Sequence, residues 1–271
     1  MNILDKIVAC KQQEVAETKT STPIKILEES KFFSRQPISL KERFRKQNGM
    51  PGIIAEFKRK SPSKGMINEE ADLTETVVGY AKAGATGLSI LTDEPFFGGN
   101  SDFIVHVRNH TTRPILRKDF IIDEYQVVEA KAIGADVILL IAAILAPEQI
   151  NRLAELAHSL GMEVLLEVHN REELEQAVLN EGMGRHLDLV GVNNRNLKTF
   201  TVSLDTSEEL NKMIPDDYVK ISESGISNPE AIHRLRTIGY QGFLIGEHFM
   251  AKTEPALACQ HFMHALTQQV Q

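Results

Sequence analysis

Residues 52–65 read GIIAEFKRKSPSKG, an apolar run that turns polar halfway and ends in a loop of lysine, serine, proline and glycine. In a strand, alternate residues share a face, so Ile54, Glu56 and Lys58 point one way and Ile53, Ala55 and Phe57 the other. If both faces are covered, a carboxylate and an ammonium stand side by side at the end of a buried strand. Charge there is costly unless it is paired or used. The loop that follows suits an anionic ligand.

Outward from this stretch one unit repeats: short apolar strand, polar loop, amphipathic helix. The pattern predicts strands at 52–58, 87–92, 114–118, 136–141, 162–168, 187–193, 218–223 and 242–246. Helices are predicted near 70–83, 100–110, 123–133, 147–160, 170–180, 205–212, 228–238 and 254–268. Gly84, Gly134, Gly161 and Gly239 stand where helices end, and Pro147 and Pro229 just inside helix starts. Strict alternation implies a parallel sheet covered on both faces. Eight units between 52 and 268 match a closed (β/α)8 TIM barrel, an α/β fold of ~250 residues. The alternative, a doubly wound open sheet, usually carries a glycine-rich fingerprint after its first strand, and none is present.

Residues 1–50 differ. Ile3, Leu4, Ile7, Val8 and Val15 recur at helical spacing, and Ser39 with Glu42 forms a capping-box pattern ahead of Leu40 and Phe44. This reads as a helical N-terminal extension laid against the barrel, within a single domain spanning 1–271. The chain ends soon after its eighth helix, so a fused second barrel is not expected.

Composition narrows the class. A net charge of -7 argues against general nucleic-acid binding, although a local basic pocket remains open. Cys10 and Cys259 match no metal spacing and suit a reducing compartment. The N-terminus lacks the apolar core of a signal peptide, and the longest apolar run, 137–146, is too short to span a membrane. The expectation is a cytoplasmic, monomeric protein with no membrane or nucleic-acid partner. His106, His110, His158, His169, His186, His233 and His248 show no paired ligand spacing, so they read as ordinary and no metal is expected.

Barrels of this kind place active sites at the C-terminal ends of their strands. There the chain puts Glu56-Phe57-Lys58, Lys118-Asp119, Glu167, Asn193-Asn194-Arg195, Glu223-Ser224-Gly225 and Gly246-Glu247. The opposite ends are bland. Each residue alone has a simpler explanation: Lys58 as an ion-pair partner of Glu56, Glu167 as a partner of Lys118, Asn193 and Arg195 as loop caps. Six polar strand ends at one mouth are harder to explain singly. Ser224-Gly225 and Gly246-Glu247 follow the last two strands, the usual phosphate site of the fold, where small residues let backbone N–H groups approach an anion. Phe96 and Phe97 either pack their loop or offer a stacking surface to an aromatic ring.

The segments IIAEFKRKSPSKG, LTDEPFFGG, LRKDFI, LLEVH, GVNNRNL, ISESGI and LIGEHFM, in this order, resemble indole-3-glycerol phosphate synthases of tryptophan biosynthesis. The resemblance runs through the whole barrel. It implies a cofactor-free lyase that decarboxylates and dehydrates 1-(2-carboxyphenylamino)-1-deoxyribulose 5-phosphate as it closes the indole ring. By position, Lys118 resembles the general acid at the ketose carbonyl and Glu167 the carboxylate assisting later proton transfers. Lys58 resembles the second catalytic lysine and Glu56 the carboxylate that positions it. Asn193 and Arg195 resemble substrate-orienting groups, and Glu223 a further acidic member. Ser61, Ser224, Gly225 and Gly246 resemble ligand contacts, the last two at the phosphate. Arg117 and Glu247 are assigned no chemistry.

The residue chemistry agrees: Lys58, Arg59, Lys60, Lys64, Lys118 and Arg195 would make a basic mouth that steers a small anionic substrate bearing carboxylate and phosphate. A lysine acting as an acid near neutrality needs its pKa lowered from about 10.4. Desolvation and a second lysine push that way, and Glu56 and Glu167 push back. Two other readings stay open: a Schiff-base aldolase using Lys118 or Lys58, and a barrel that only binds a sugar phosphate. The loop 59–69 exceeds the usual ~2–6 residues and is expected to act as a lid hinged at Gly65.

Overall fold

The computed structural model describes residues 3–47, 50–197 and 199–268. The ends of the expected extension (1–50) and domain (1–271) therefore lie partly outside the described residues. Eight parallel strands close into a barrel: β1 (Gly52–Phe57), β2 (Gly87–Leu91), β3 (Ile115–Lys118), β4 (Val137–Ile141), β5 (Glu163–Val168), β6 (Leu189–Asn193), β7 (Val219–Glu223) and β8 (Gly242–Ile245). Each pairs with its sequence neighbours, and β1 closes against β8 in the register Gly52 with Gly242 through Ala55 with Ile245. The open-sheet alternative is excluded. Observed strand ends differ from the expected ones by a residue or two, the usual uncertainty of element boundaries.

Alternation along the strands makes two apolar layers. Ile54, Leu116, Val137, Leu139, Leu165, Leu189, Val219, Ile221 and Leu244 fill the barrel. Ile53, Ala55, Phe57, Leu88, Ile90, Leu140, Leu166 and Phe243 face outward into the layer beneath the helices. The helices begin where side-chain caps allow: Asp72, Asn100 and Asn228 each accept a backbone N–H of the first turn of α4 (Leu73–Lys82), α6 (Ser101–Arg108) and α11 (Pro229–Thr237). Gly134 ends α7 (Glu124–Ile133) at φ 94°, a conformation that glycine adopts without steric cost. The helix expected over 170–180 splits into α9 (Arg171–Leu174) and one π-helical turn, Glu175–Leu179.

The N-terminal extension engages both ends of the barrel. Helix α1 (Ile3–Ser21) crosses the mouth, where Ile7 is buried with the barrel interior and Ile3 and Leu4 pack beside it. Helix α2 (Ile24–Glu28) packs on α7, and Arg35 carries the chain down the flank through Asp136 at 2.6 Å. Helix α3 (Leu40–Arg45) then inserts Leu40 and Phe44 into the bottom. A β-carbon at Gly52, Gly87 or Gly242 would strike one of these two side chains, so three strand-end glycines make the seat of the plug. Ser39 accepts the N–H of Glu42, as the capping pattern predicts. Glu163, at the bottom of β5, accepts Leu40 N–H at 2.8 Å and Lys41 N–H at 3.0 Å, an anion where the helix dipole is positive.

The loop after β1, expected to act as a lid, folds as an antiparallel ribbon, Lys60–Ser61 against Gly65–Met66. Gly65 takes φ 68° at the turn between its strands.

Candidate active site

A cavity of about 700 Å³ opens at the C-terminal ends of the strands. All eleven expected site residues line it: Glu56, Lys58, Ser61, Lys118, Glu167, Asn193, Arg195, Glu223, Ser224, Gly225 and Gly246. Strand order divides its wall. From β2 to β4 Leu91, Phe97, Phe120, Leu139 and Ile141 make the lining mainly apolar, interrupted by Lys118 and Asp119 at the end of β3, and Ile3, Leu4 and Ile7 of α1 join this side. From β6 through β8 to the loop after β1 the polar groups Arg195, Ser224, Gly225, Gly246, Ser61, Ser63 and Lys64 alternate with Phe200, Val202, Ile226 and Ile245. Phe97 faces the cavity, its ring 5.8 Å from that of Phe120, whereas Phe96 packs against the interior layer beside it.

Lys118 stands between two inward carboxylates: its ammonium lies 2.6 Å from Glu167 Oε2 and 3.0 Å from Glu223 Oε2. Burial disfavours its charge, but Glu167, Glu223 and Glu56 outweigh burial and raise its pKa above the usual lysine value. Of the two opposed effects the carboxylates win: one ammonium among three carboxylates is held charged. The two carboxylates then diverge. Burial opposes the Glu167 anion, yet Lys118 and His169 hold its pKa well below the usual range. Glu223 is pushed up to about 7 by burial, which the attraction of Lys118 offsets only in part and the repulsion from Glu167 and Glu56 reinforces.

The opening pair of the sequence is real. Lys58 donates to Glu56 Oε1 at 2.6 Å, and Ser89 reaches Glu56 Oε2 at 3.3 Å. Gly246 lies against this carboxylate, and a β-carbon there would collide with Glu56 Oε1. Across the barrel, Gly191 on β6 gives Glu223 the same clearance. Gly246 thus makes room for a side chain as well as lining the polar wall, and Gly191 escapes a search confined to strand ends.

The basic mouth needs correction. Arg59 turns away to stack on Phe57 and Phe103, and Lys60 donates to the Pro95 carbonyl. The expected cations that do line the cavity are already paired: Lys58 with Glu56, Lys118 with Glu167 and Glu223, and both Lys64 and Arg195 with Glu247 at 3.5 and 3.4 Å; Lys252 joins them in the wall. The mouth offers exchangeable ion pairs rather than net positive charge, and Glu247 is the carboxylate a ligand anion would replace.

Asn194 and His169 escape the strand-end reading. Asn194 Nδ2 donates to Ser222 Oγ and to the carbonyls of Glu223 and Ser224, fixing Ser224 at φ 66°, a strained conformation for a non-glycine residue. His169 is not an ordinary surface histidine; its Nε2 lies 3.2 Å from Glu167 Oε1. Arg117 is fully buried, salt-bridged to Asp119 and Glu129 on the outer face of β3. Lys11 of α1 is buried with Asp93 and Asp119, which ties the helix over the mouth to the loops beside Lys118. No cluster of three or more His, Cys, Asp or Glu among the described residues is arranged to hold a metal, and no described helix is long and apolar enough to cross a membrane.

A family model described as "Indole-3-glycerol phosphate synthase" matches residues 4–262. Curated proteins of that name are similar over nearly their whole length. The Bacteroides thetaiotaomicron protein is 48% identical over 265 residues, covering 98% of this chain and 99% of its own. The Burkholderia vietnamiensis protein is 42% identical, with 95% and 97% covered, and that of Caldanaerobacter subterraneus subsp. tengcongensis is 44% identical, with 93% and 94% covered. Among solved structures, KGPDC from Streptococcus mutans superposes with a TM-score of 0.60 at 12% identity, covering 81% of this chain and 98% of its own. The 3-hexulose-6-phosphate synthase from Salmonella typhimurium gives 0.62 at 15% identity, covering 80% and 99%. These two likenesses concern the barrel fold alone.

Proposed function

This chain belongs to the indole-3-glycerol phosphate synthase family, and we propose that its chemistry is carried by Lys118, Glu167, Lys58 and Glu56 with Asn193 at the polar edge of the mouth. It is a decarboxylating lyase of tryptophan biosynthesis acting on a small phosphorylated substrate. The reaction closes the ring of 1-(2-carboxyphenylamino)-1-deoxyribulose 5-phosphate and releases carbon dioxide and water.

The observation that carries the assignment is the Lys118 ammonium, which reaches from β3 to Glu167 of β5 and Glu223 of β7 in the cavity. The apolar wall suits the aromatic ring and the polar wall the phosphate, which sets the ketose carbon between them. Lys118 protonates the carbonyl oxygen as the ring carbon attacks. A charged lysine suffices, because the oxygen it meets is becoming an alkoxide, a far stronger base than the carbonyl. Loss of carbon dioxide from the attacking ring carbon restores the aromaticity of the benzene ring, and Glu167, held as the anion, takes the proton lost in the dehydration that follows. Lys58, steadied by Glu56, pairs with the substrate carboxylate and then serves the departing hydroxide. Asn193 and Arg195 orient the sugar, Ser61 the loop side of the ligand, and Ser224, Gly225 and Gly246 the phosphate. Glu223 completes the acid–base set.

One chain supplies every group in the cavity wall, and the helix over the mouth contributes to it, which supports a monomer in which extension and barrel work as one domain. Free Cys10 and Cys259 are in keeping with a cytoplasmic setting.

The test is to add the carboxyphenylamino-deoxyribulose phosphate and follow indole fluorescence. Lys118→Ala abolishes the signal while circular dichroism and the melting temperature stay near the parent values. A well-folded parent without signal overturns the reading. Borohydride trapping separates the aldolase alternative: a stable adduct would require Lys118 or Lys58 to act as a nucleophile.

A further inference from the structure

Glu167 and Glu223 share one ammonium, but their second oxygens have different surroundings. Glu167 Oε1 faces the His169 ring, with Nε2 3.2 Å away, close enough for charge attraction although the N–H does not aim squarely at the oxygen. Glu223 Oε1 is buried without a hydrogen-bond partner, seated on the bare Cα of Gly191. His169 is itself held on its far side. Its backbone N–H donates to Glu173 Oε2 at 2.8 Å, its Nδ1 lies 3.2 Å from the same oxygen, and Glu173 Oε1 accepts from Asn170 Nδ2 at 2.7 Å. The ring therefore lies between two carboxylates, one in the reaction cavity and one in α9. It forms part of the wall of a second cavity of about 470 Å³ that adjoins the first at Leu4, Asn193 and Leu197.

We propose that His169 is a positioning residue that assigns the roles of the two carboxylates at Lys118: its imidazolium lies against Glu167 alone, which makes Glu167 the base and leaves Glu223 as the carboxyl that keeps a proton. This rests on the reading of Glu167 as the base. Without a third charge, Lys118 would face two equivalent buried carboxylates, and like charges at such a site cannot both ionise freely. The charged groups facing the ring are Glu167 on its own strand and Glu173 on α9; behind Glu167 stand Lys118, Glu223 and Glu56. Burial opposes the imidazolium, but Glu167 and Glu173 overcome it and push its pKa up to about 9, so the cation persists through neutral pH.

The signs follow. A cation beside Glu167 lowers its pKa, so removing that cation raises it, and the base form is lost at a higher pH than in the parent. Glu223 gains nothing directly from His169 and is not expected to move in that direction.

The experiment measures kcat and KM against pH by indole fluorescence for the parent, His169→Asn, Glu173→Gln and Glu167→Gln. His169→Asn keeps an N–H donor without the charge. Its kcat is expected to fall about tenfold or more, KM to stay within about twofold, and the acid limb of kcat to move up by about one pH unit. Glu173→Gln leaves the ring, which stays charged throughout the acid range, so its acid limb is expected to stay at or slightly below the parent's. An unmoved acid limb in His169→Asn, or a loss confined to KM, overturns the proposal, as does the same upward move in Glu173→Gln, where the cation is kept. If His169→Asn melts below the assay temperature, His169→Gln takes its place under the same criterion. Glu167→Gln separates the two ideas. Parent-like turnover in that variant defeats the assignment of Glu167 itself, whereas its inactivity beside a normal His169→Asn profile defeats only the role of His169.

Discussion

At position 246 the β-carbon that any other residue carries would run into the buried Glu56 carboxylate, whose oxygen holds Lys58 at 2.6 Å. Gly246→Ala is therefore expected to act as an active-site lesion. The carboxylate must shift, Lys58 loses its support, and kcat falls by at least tenfold. The overpacking costs about 1–3 kcal/mol, measurable by urea denaturation, so the protein stays folded. Equal kcat in parent and variant would show that the contact is immaterial. The sequence marks Gly246 as a ligand-side glycine but not its closeness to Glu56, because β1 and β8 become neighbours only when the barrel closes. His169 was read as ordinary, although the signal that marks it was present. Glu167 and His169 are two residues apart at a strand end, the same spacing as Glu56 and Lys58, and the pattern read in the first strand recurs in the fifth. A histidine that looks ordinary among its kind is distinguished by that register alone.

Among the elements, strands and helices were legible because their signals are local: apolar alternation, capping side chains and glycines at helix ends. The ribbon after β1 was not, since two residues per strand carry no periodicity. Its anchors are also non-local. Ile67 N–H reaches the Arg59 carbonyl, Asn68 Nδ2 reaches the carbonyls of Met250 and Lys252, and Lys64 reaches Glu247. Gly65 sits at the turn with φ 68° and open space around it, so conformation rather than crowding selects glycine. Proline, fixed near φ −65°, cannot make this turn. Gly65→Pro is expected to open the ribbon, release Lys64 and lower turnover several-fold with little change in melting temperature. Gly65→Ala keeps the turn at a cost of about 1–2 kcal/mol and should be milder. Kinetics identical in parent and proline variant would deny the ribbon any part in closing the cavity.

On the scale of the whole molecule, the extension is a strap whose ends seal the barrel, α1 above and α3 below. Its helical character was readable from spacing; its route was not, since that depends on where Arg35, Asp136 and Glu163 lie after folding. Phe44→Ala empties the plug and should destabilise the protein by about 3–5 kcal/mol, seen as a lower urea midpoint, while kcat of the folded fraction changes little because the mouth lies at the opposite end. A loss of kcat without loss of stability would contradict this separation. The plug also orders events in time. Phe44 rests on Gly52 of the first strand and Gly242 of the last, so its seat does not exist while a growing chain still lacks β8. The segment made first is thus the segment that must wait, and its docking comes only with the final closure of the ring. A chain that stops short of β8 lacks the Gly242 side of this seat, so Phe44 has no complete place to dock.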